Sequence, residues 1–233
     1  IETSTSVCSV ALSMDGEVLF AKASFDGPSH AALLGVFVEE ALSVLKKKGK
    51  KALDAVAVSS GPGSYTGLRI GVSVAKGLCF GFGIPLIGIH TLDIMAATVN
   101  SKGDSQIVSM TDNCLYCAML DARRMEVYAA IYDASLKPVR ETKADIVEVG
   151  TYASYLEKGK VCFFGNGASK CKSVITSPNA IFIEDIHPLA VNMIPLSEQA
   201  FAAGKFEDTA YFEPFYLKEF QATVAKNKVL LAR

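Results

Sequence analysis

Apolar and polar residues follow two different periods along this chain. Over residues 1–13 and 17–25 they alternate as in half-buried strands, and Asp15-Gly16 between the two runs is a hairpin turn. Over residues 30–48 the period lengthens. Leu33, Leu34, Phe37, Val38, Ala41, Leu42 and Leu45 recur at i, i+3, i+4 and i+7 and predict a one-faced helix, led in by Gly27-Pro28-Ser29. The apolar run 52–58 predicts a strand, Gly61-Pro62-Gly63 a tight turn, and the apolar run 72–82 a helix that Ser64 or Thr66 is placed to cap. A strand at 86–89 and a helix at 92–99 follow, so the first half reads β-β-β-α-β-α-β-α. From Gln106 the order restarts: strands near 114–120, 126–132 and 137–141, a helix over 151–158, a strand at 161–164, a helix over 168–175, a strand at 180–183 and a helix over 189–203. Two similar halves of alternating strands and helices predict an α/β class.

Composition narrows the picture. The 233 residues suit one large domain or two lobes, and with 50% apolar and 20% charged residues a sizeable core can form. No apolar stretch reaches the roughly 18 uncharged residues of a membrane span, and the start does not read as a cleavable signal; the expectation is a cytoplasmic protein with no membrane association. The chain opens so directly in strand-like sequence that a few residues are expected to precede Ile1. The net charge of −1 is not the electrostatic footprint of a protein that binds RNA by itself. Of the six cysteines, Cys114 and Cys117 form a lone C-x-x-C without a second pair at zinc-ribbon spacing, so buried reduced thiols are expected.

The stretch richest in candidate chemistry runs from Ser59 to Gly71. Gly61, Gly63, Ser64 and Thr66 form a candidate ligand loop whose amides and following helix N-terminus could hold an anion. The lysine and hydroxyl of a Walker loop are missing in register, because Leu68 and Arg69 follow Gly67. Gly67, Gly71, Ala75 and Cys79 fall four apart, a small-residue stripe where another backbone can approach, inside the domain or on a partner. Glu2-Thr3-Ser4-Thr5 places a carboxylate and hydroxyls in a turn, suited to a phosphate or hydrated magnesium or simply to turn chemistry. His30 is a candidate metal ligand, but Leu34 stands where its helical partner would be, and His90 and His187 are lone residues; no metal site and no catalytic residue is assigned. Lys46 to Lys51 close a helix and oppose its dipole, with RNA phosphates as the sharper reading. In the turn Leu120-Asp121-Ala122-Arg123-Arg124-Met125-Glu126, Asp121 and Arg123 are expected to form an ion pair or a partner contact.

Ser60-Gly-Pro-Gly-Ser-Tyr-Thr-Gly-Leu-Arg-Ile-Gly, with Ala75-Lys-Gly-Leu after it, resembles the hallmark of the bacterial TsaB (YeaZ) family. Ile1-Glu-Thr-Ser-Thr with Cys8-Ser-Val-Ala-Leu, His30-Ala, Asp121-Ala-Arg-Arg with Glu126-Val-Tyr, Gly165-Asn-Gly-Ala and Glu213-Pro-Phe-Tyr-Leu-Lys extend the likeness over almost the whole chain. The first two blocks are shared with the catalytic relative TsaD, and Lys218 stands where the family often has arginine. The resemblance implies a two-lobed actin-like fold with duplicated βββαβαβα halves, the second lobe reduced, divided as 1–103 and 104–233. It also implies a non-catalytic scaffold that pairs with TsaD, supports TsaE recruitment and forms a homodimer when alone. In such a complex threonylcarbamoyl passes to the adenosine beside the anticodon of tRNAs reading codons that begin with A. ATP and metal are used by the partner subunits, no cofactor is expected on this chain, and tRNA is reached only through the complex.

Two other classes compete. An actin-like phosphotransferase would need an interlobe nucleotide cleft, and a metalloprotease would need the ligand pair that His30 and Leu34 do not make. For the scaffold, the expected partner-binding face comprises Leu33, Leu34, Phe37, Val38, Gly67, Arg69, Gly71 and Ala75. On that view Gly71→Leu abolishes pairing and leaves the monomer folded.

Overall fold

The computed structural model describes residues 1–27, 29–49, 52–101 and 114–218. The expected lobe boundary at 103/104 and residues Lys50 and Lys51 of the basic run lie outside the described residues.

Strands β1 (Cys8–Met14) and β2 (Glu17–Ser24) form an antiparallel hairpin whose turn residues Asp15 and Gly16 both have positive φ, 52° and 82°. That conformation is why an Asp-Gly pair sits there. Helix α1 (His30–Lys47), strand β3 (Val56–Gly61), helix α2 (Tyr65–Phe82), strand β4 (Leu86–His90) and helix α3 (Thr91–Ser101) complete the first half. Residues 1–3 stitch its strands into one sheet. Glu2 and Ser9 exchange both backbone hydrogen bonds at 2.9 Å, the Ile1 nitrogen donates to Ala57 O at 2.9 Å, and Ser59 N donates to Ile1 O at 3.1 Å. The opening segment therefore runs antiparallel to β1 and parallel to β3.

The second half repeats this plan. Strands β5 (Leu115–Asp121), β6 (Glu126–Tyr132), β7 (Pro138–Ile146), β8 (Val161–Phe164) and β9 (Ala180–Ile183) form a five-stranded sheet in the order β7-β6-β5-β8-β9. Like the opening segment, β5 has one antiparallel neighbour and one parallel neighbour. The helices here are reduced: α4 (Ala153–Leu156) and α5 (Ala168–Cys171) are single turns, shorter than the pattern predicts. After α5 the β-branched run Val174-Ile175-Thr176 and Pro178 disfavour further helix. Strand β7 is longer than expected because β6 offers a partner along its whole length, from Glu126↔Ile146 to Tyr132↔Pro138.

Each sheet is covered on both faces. In the first, Cys8, Val10, Leu12, Val56, Val58 and Leu86 pack under α1 and α2, while Ile87 and Ile89 face Ile94 of α3 and Met193 on the other side. In the second, Cys117, Met119, Val127 and Phe163 pack against the α4 and α5 region. Its opposite face, through Ala118, Leu120, Ala130 and Phe164, packs on Leu92, Met95, Ala96 and Val99 of α3. Helix α3 is thus the shared layer between the lobes, and the Tyr132 hydroxyl donates to Asp93 Oδ1 at 2.6 Å across that boundary.

Beyond β9 the chain returns to the first lobe. Within a 3-10 turn (Ala190–Met193), Ala190 N donates to Ser9 Oγ at 2.9 Å, and Glu198 of helix α6 (Ile194–Ala202) accepts from Gly16 N at 2.8 Å. Glu207 then bridges to Leu86, and Phe215 N donates to Ser60 O at 2.7 Å. Much of the stretch 190–216 therefore packs on the first sheet although it follows the second in sequence.

Candidate partner-binding surface and ligand loops

Helix α2 begins where the sequence places its cap: Ser64 Oγ accepts from Gly67 N at 3.2 Å. The loop before it is occupied by the chain's own backbone. Ser64 N donates to Ser4 O at 2.6 Å, and a Cβ on Gly63 would lie closer than 3.0 Å to that same oxygen. A Cβ on Gly61 would meet Phe215 O at 2.7 Å. A ligand seated on Gly61 or Gly63 would have to displace Ser4 or Phe215. Thr66 is exposed on the first turn of the helix.

The Glu2 turn is equally closed. Glu2 is 0% exposed, its Oε1 accepts from Ser4 N at 2.7 Å, and burial pushes its carboxyl up to about 7. Glu2 Oε2, Ser4 Oγ and His30 Nδ1 are buried without hydrogen-bond partners, while His30 Nε2 lies 2.7 Å from Thr5 O. Among the described residues no cluster of three His, Cys, Asp or Glu could hold a metal ion. The six cysteines are all buried without a disulfide, and burial raises the Cys117 and Cys162 thiols well above their ordinary value.

Between the lobes lies a cavity of about 380 Å³ lined by His90, Asp93, Tyr132, Glu141, Arg140 and Phe215, among others. Its charge suits a polyphosphate poorly: Asp93 and Glu141 are acidic, and the Arg140 guanidinium is held by Asp145 at 2.6 Å. Ser60 Oγ is 3.4 Å from His90 Nδ1, but Ser60 is buried and the Phe215 ring packs edge-on against the imidazole at 5.5 Å. At the β5–β6 turn Asp121 pairs with Lys170 and accepts from the Arg123 amide at 3.0 Å. The expected Asp121–Arg123 ion pair is therefore corrected: Lys170 of α5 reaches the carboxylate, and the Arg123 side chain is exposed to solvent.

The two helices over the first sheet divide the expected partner face in two. Leu34, Phe37, Gly67, Gly71 and Ala75 are buried within the chain. Thr3 explains two of them: a Cβ on Gly67 would fall closer than 3.0 Å to Thr3 O, and one on Gly71 equally close to Thr3 Oγ1. These five are interior residues here, which revises the expectation that they meet a partner. Leu33 and Val38 are partly exposed, and Arg69 is exposed, lying over the Tyr65 ring at 4.3 Å and donating to Tyr216 Oη at 3.3 Å. The outward face is lined by residues the periodicity did not single out. Val36 is 47% and Phe80 90% exposed, and a Cβ on Gly35, Gly77 or Gly81 would meet nothing within 4 Å beyond its chain neighbours and the backbone of its own helix among the described residues. Ser73, Gly77 and Gly81 repeat the four-residue spacing two residues on from the buried stripe, on the opposite side of the helix, which is the signal that could have found them.

A family model described as TsaD, tRNA N6-adenosine threonylcarbamoyltransferase, matches residues 26–226. The chain is 31% identical to the tRNA threonylcarbamoyladenosine biosynthesis protein TsaB of Escherichia coli, over 94% of this chain and 93% of that one. The chain belongs to the TsaB (YeaZ) family. A further TsaB, from Buchnera aphidicola, is 27% identical over 87% of this chain and 91% of its own. A crystal structure of YeaZ from Pseudomonas aeruginosa superposes with a TM-score of 0.74 at 25% identity, covering 93% of this chain and 97% of that one. A second Pseudomonas aeruginosa structure, described as similar to peptidase YeaZ, gives 0.77 at 26% identity over 93% and 97%. The family's actin-like fold accounts for the duplicated halves, and the motif blocks at 60–71 and 213–218 meet in space at Ser60, Gly61 and Phe215.

Proposed function

We propose that this chain serves tRNA threonylcarbamoyladenosine biosynthesis as a non-catalytic subunit, holding a TsaD-type transferase in its working form through the outward face of α1 and α2. The observation that carries this reading is the composition of that face. Val36, Phe80 and the open glycines Gly35, Gly77 and Gly81 leave an apolar, close-approach surface on a helix pair whose inward face is already filled. Leu33, Val38 and Arg69 border it, so a partner presenting a similar helix pair can dock there, a second copy of this chain included.

The same reading has the chain acting in the cytoplasm, with TsaE joining the assembled pair and tRNA engaged by the whole complex. Support for a non-catalytic role comes from the loops. The 61–64 turn is filled by Ser4 and Phe215, the Glu2 carboxyl is sealed, and the interlobe cavity carries acidic walls. The phosphotransferase alternative would require phosphates beside those walls. Sedimentation of the chain with a TsaD-type transferase tests the pairing. Threonylcarbamoyl transfer to unmodified tRNA, run with and without the chain, tests the function; equal product in both would sink it.

A further inference from the structure

The tip of the β5–β6 hairpin carries a charge that its turn does not require. Arg123 and Arg124 both have positive φ, 69° and 48°, a region that asparagine and glycine take far more readily than arginine. Both side chains are exposed. The backbone beneath them is fixed: Ala122 N donates to Glu126 O at 3.0 Å, Glu126 N to Arg123 O at 3.1 Å, and Asp121 N to Asn166 Oδ1 at 3.0 Å. The carboxylates at the base of the turn are already matched, Asp121 by Lys170 and Glu126 by Lys218. Among the described residues neither guanidinium has a carboxylate partner, which leaves two cations at the tip of a rigid turn. No large exposed hydrophobic residue lies in 121–126 or 165–170, so the platform lacks the apolar anchor on which protein partners usually centre. Phosphate contacts need only charge and fixed position.

We propose that Arg123 and Arg124 form a contact surface for the phosphate backbone of RNA, specifically of the tRNA engaged by the complex; this rests on the function proposed above for the identity of the RNA. The low net charge of the chain agrees with a contact that adds to binding by an assembly and does not bind RNA alone. The turn accepts two unfavourable backbone conformations and presents two forked donors in return, the pattern expected where local strain serves a contact.

The test uses the full chain in complex with its transferase and follows tRNA affinity across salt concentrations. Arg123→Asn with Arg124→Gly supplies the residues the turn prefers, so it removes the charge while relieving the backbone. The melting temperature is expected to rise by about 2–4 °C, and the slope of log affinity against log salt to fall by about 1.5. Arg123→Lys with Arg124→Lys is expected to keep the slope. An unchanged affinity and slope in the Asn-Gly variant overturns the proposal. So does a loss of transferase capture with unchanged tRNA affinity of the complex that still forms, which would assign the tip to an acidic protein surface. Stimulation of transfer by the wild-type chain, read in the same preparations, reports on the assembly separately: intact stimulation with an unchanged salt slope sinks only the phosphate contact.

Discussion

Thr3 and Gly67 hold the first sheet and helix α2 at backbone distance: the Thr3 hydroxyl donates to Gly67 O at 2.8 Å, and Gly67 has no room for a Cβ beneath Thr3 O. Gly71 repeats the relationship one turn later against Thr3 Oγ1. The buried stripe is therefore a packing device inside the monomer. Gly71→Leu is expected to unfold the chain instead of dissociating a folded monomer, because the added side chain would have to displace the buried Thr3 hydroxyl, which is tied to Gly67 O, and then meet Val58. Gly67→Ala is expected to cost about 3 kcal/mol or more, or about 6–12 °C in melting temperature. A folded Gly71→Leu monomer with unchanged melting would restore the stripe to the surface.

Gly77 provides the contrast on the same helix. With open space around it, Gly77→Ala gains helix propensity, and thermal unfolding of the isolated chain should show about 0.5–1 kcal/mol of added stability. A loss of similar size would mean that the outward face is packed in the monomer as well.

Docking on that face is tested by Val36→Arg with Ser73→Arg. Both positions are exposed, so melting should change little, while association with a TsaD-type transferase should weaken about 30-fold or more, the scale of a lost interface centre. Unchanged association by sedimentation would move the partner elsewhere.

Glu2 gives a pH dependence with a definite sign. Its folded carboxyl is raised from 4.5 to about 7 by burial, so the protonated form is favoured on folding. The stability it contributes is complete below about pH 4.5 and is lost as pH rises through about 7, a change on the order of 3 kcal/mol. Between pH 5 and 8 the wild-type chain should lose stability relative to Glu2→Gln, a comparison that isolates this carboxyl from other titrating groups. Parallel curves from chemical denaturation would show that Glu2 stays ionised in the fold.

Across the lobe boundary, Tyr132→Phe removes the hydroxyl donated to Asp93 and is expected to cost about 1–2 kcal/mol in one cooperative transition. Two separated transitions would contradict a shared layer at α3.

Much of the element order is legible in the sequence because local signals decide it: Asp15-Gly16 turns the first hairpin, and Ser64 caps α2 as its position suggests. What the pattern leaves open is set by distant partners. Nothing local says that Gly71 faces Thr3 while Gly77 faces solvent, since both belong to four-residue repeats on one helix. Asp121 finds Lys170 because α5 brings the lysine beside the β5–β6 turn, whereas the sequence offers the nearer Arg123. The return of Phe215 to Ser60 and Gly61 joins segments about 150 residues apart and leaves no periodic trace. It also explains the glycine loop, which reads as a ligand cradle until its occupant is seen to be the chain itself.

The most direct test of the scaffold reading is transfer of labelled threonylcarbamoyl from its adenylate to unmodified tRNA by a TsaD-type transferase with TsaE, compared without this chain, with it, and with its Val36→Arg, Ser73→Arg variant. The account predicts product only with the wild-type chain and background levels with the variant. Equal product without the chain, or full stimulation by the variant, would contradict it.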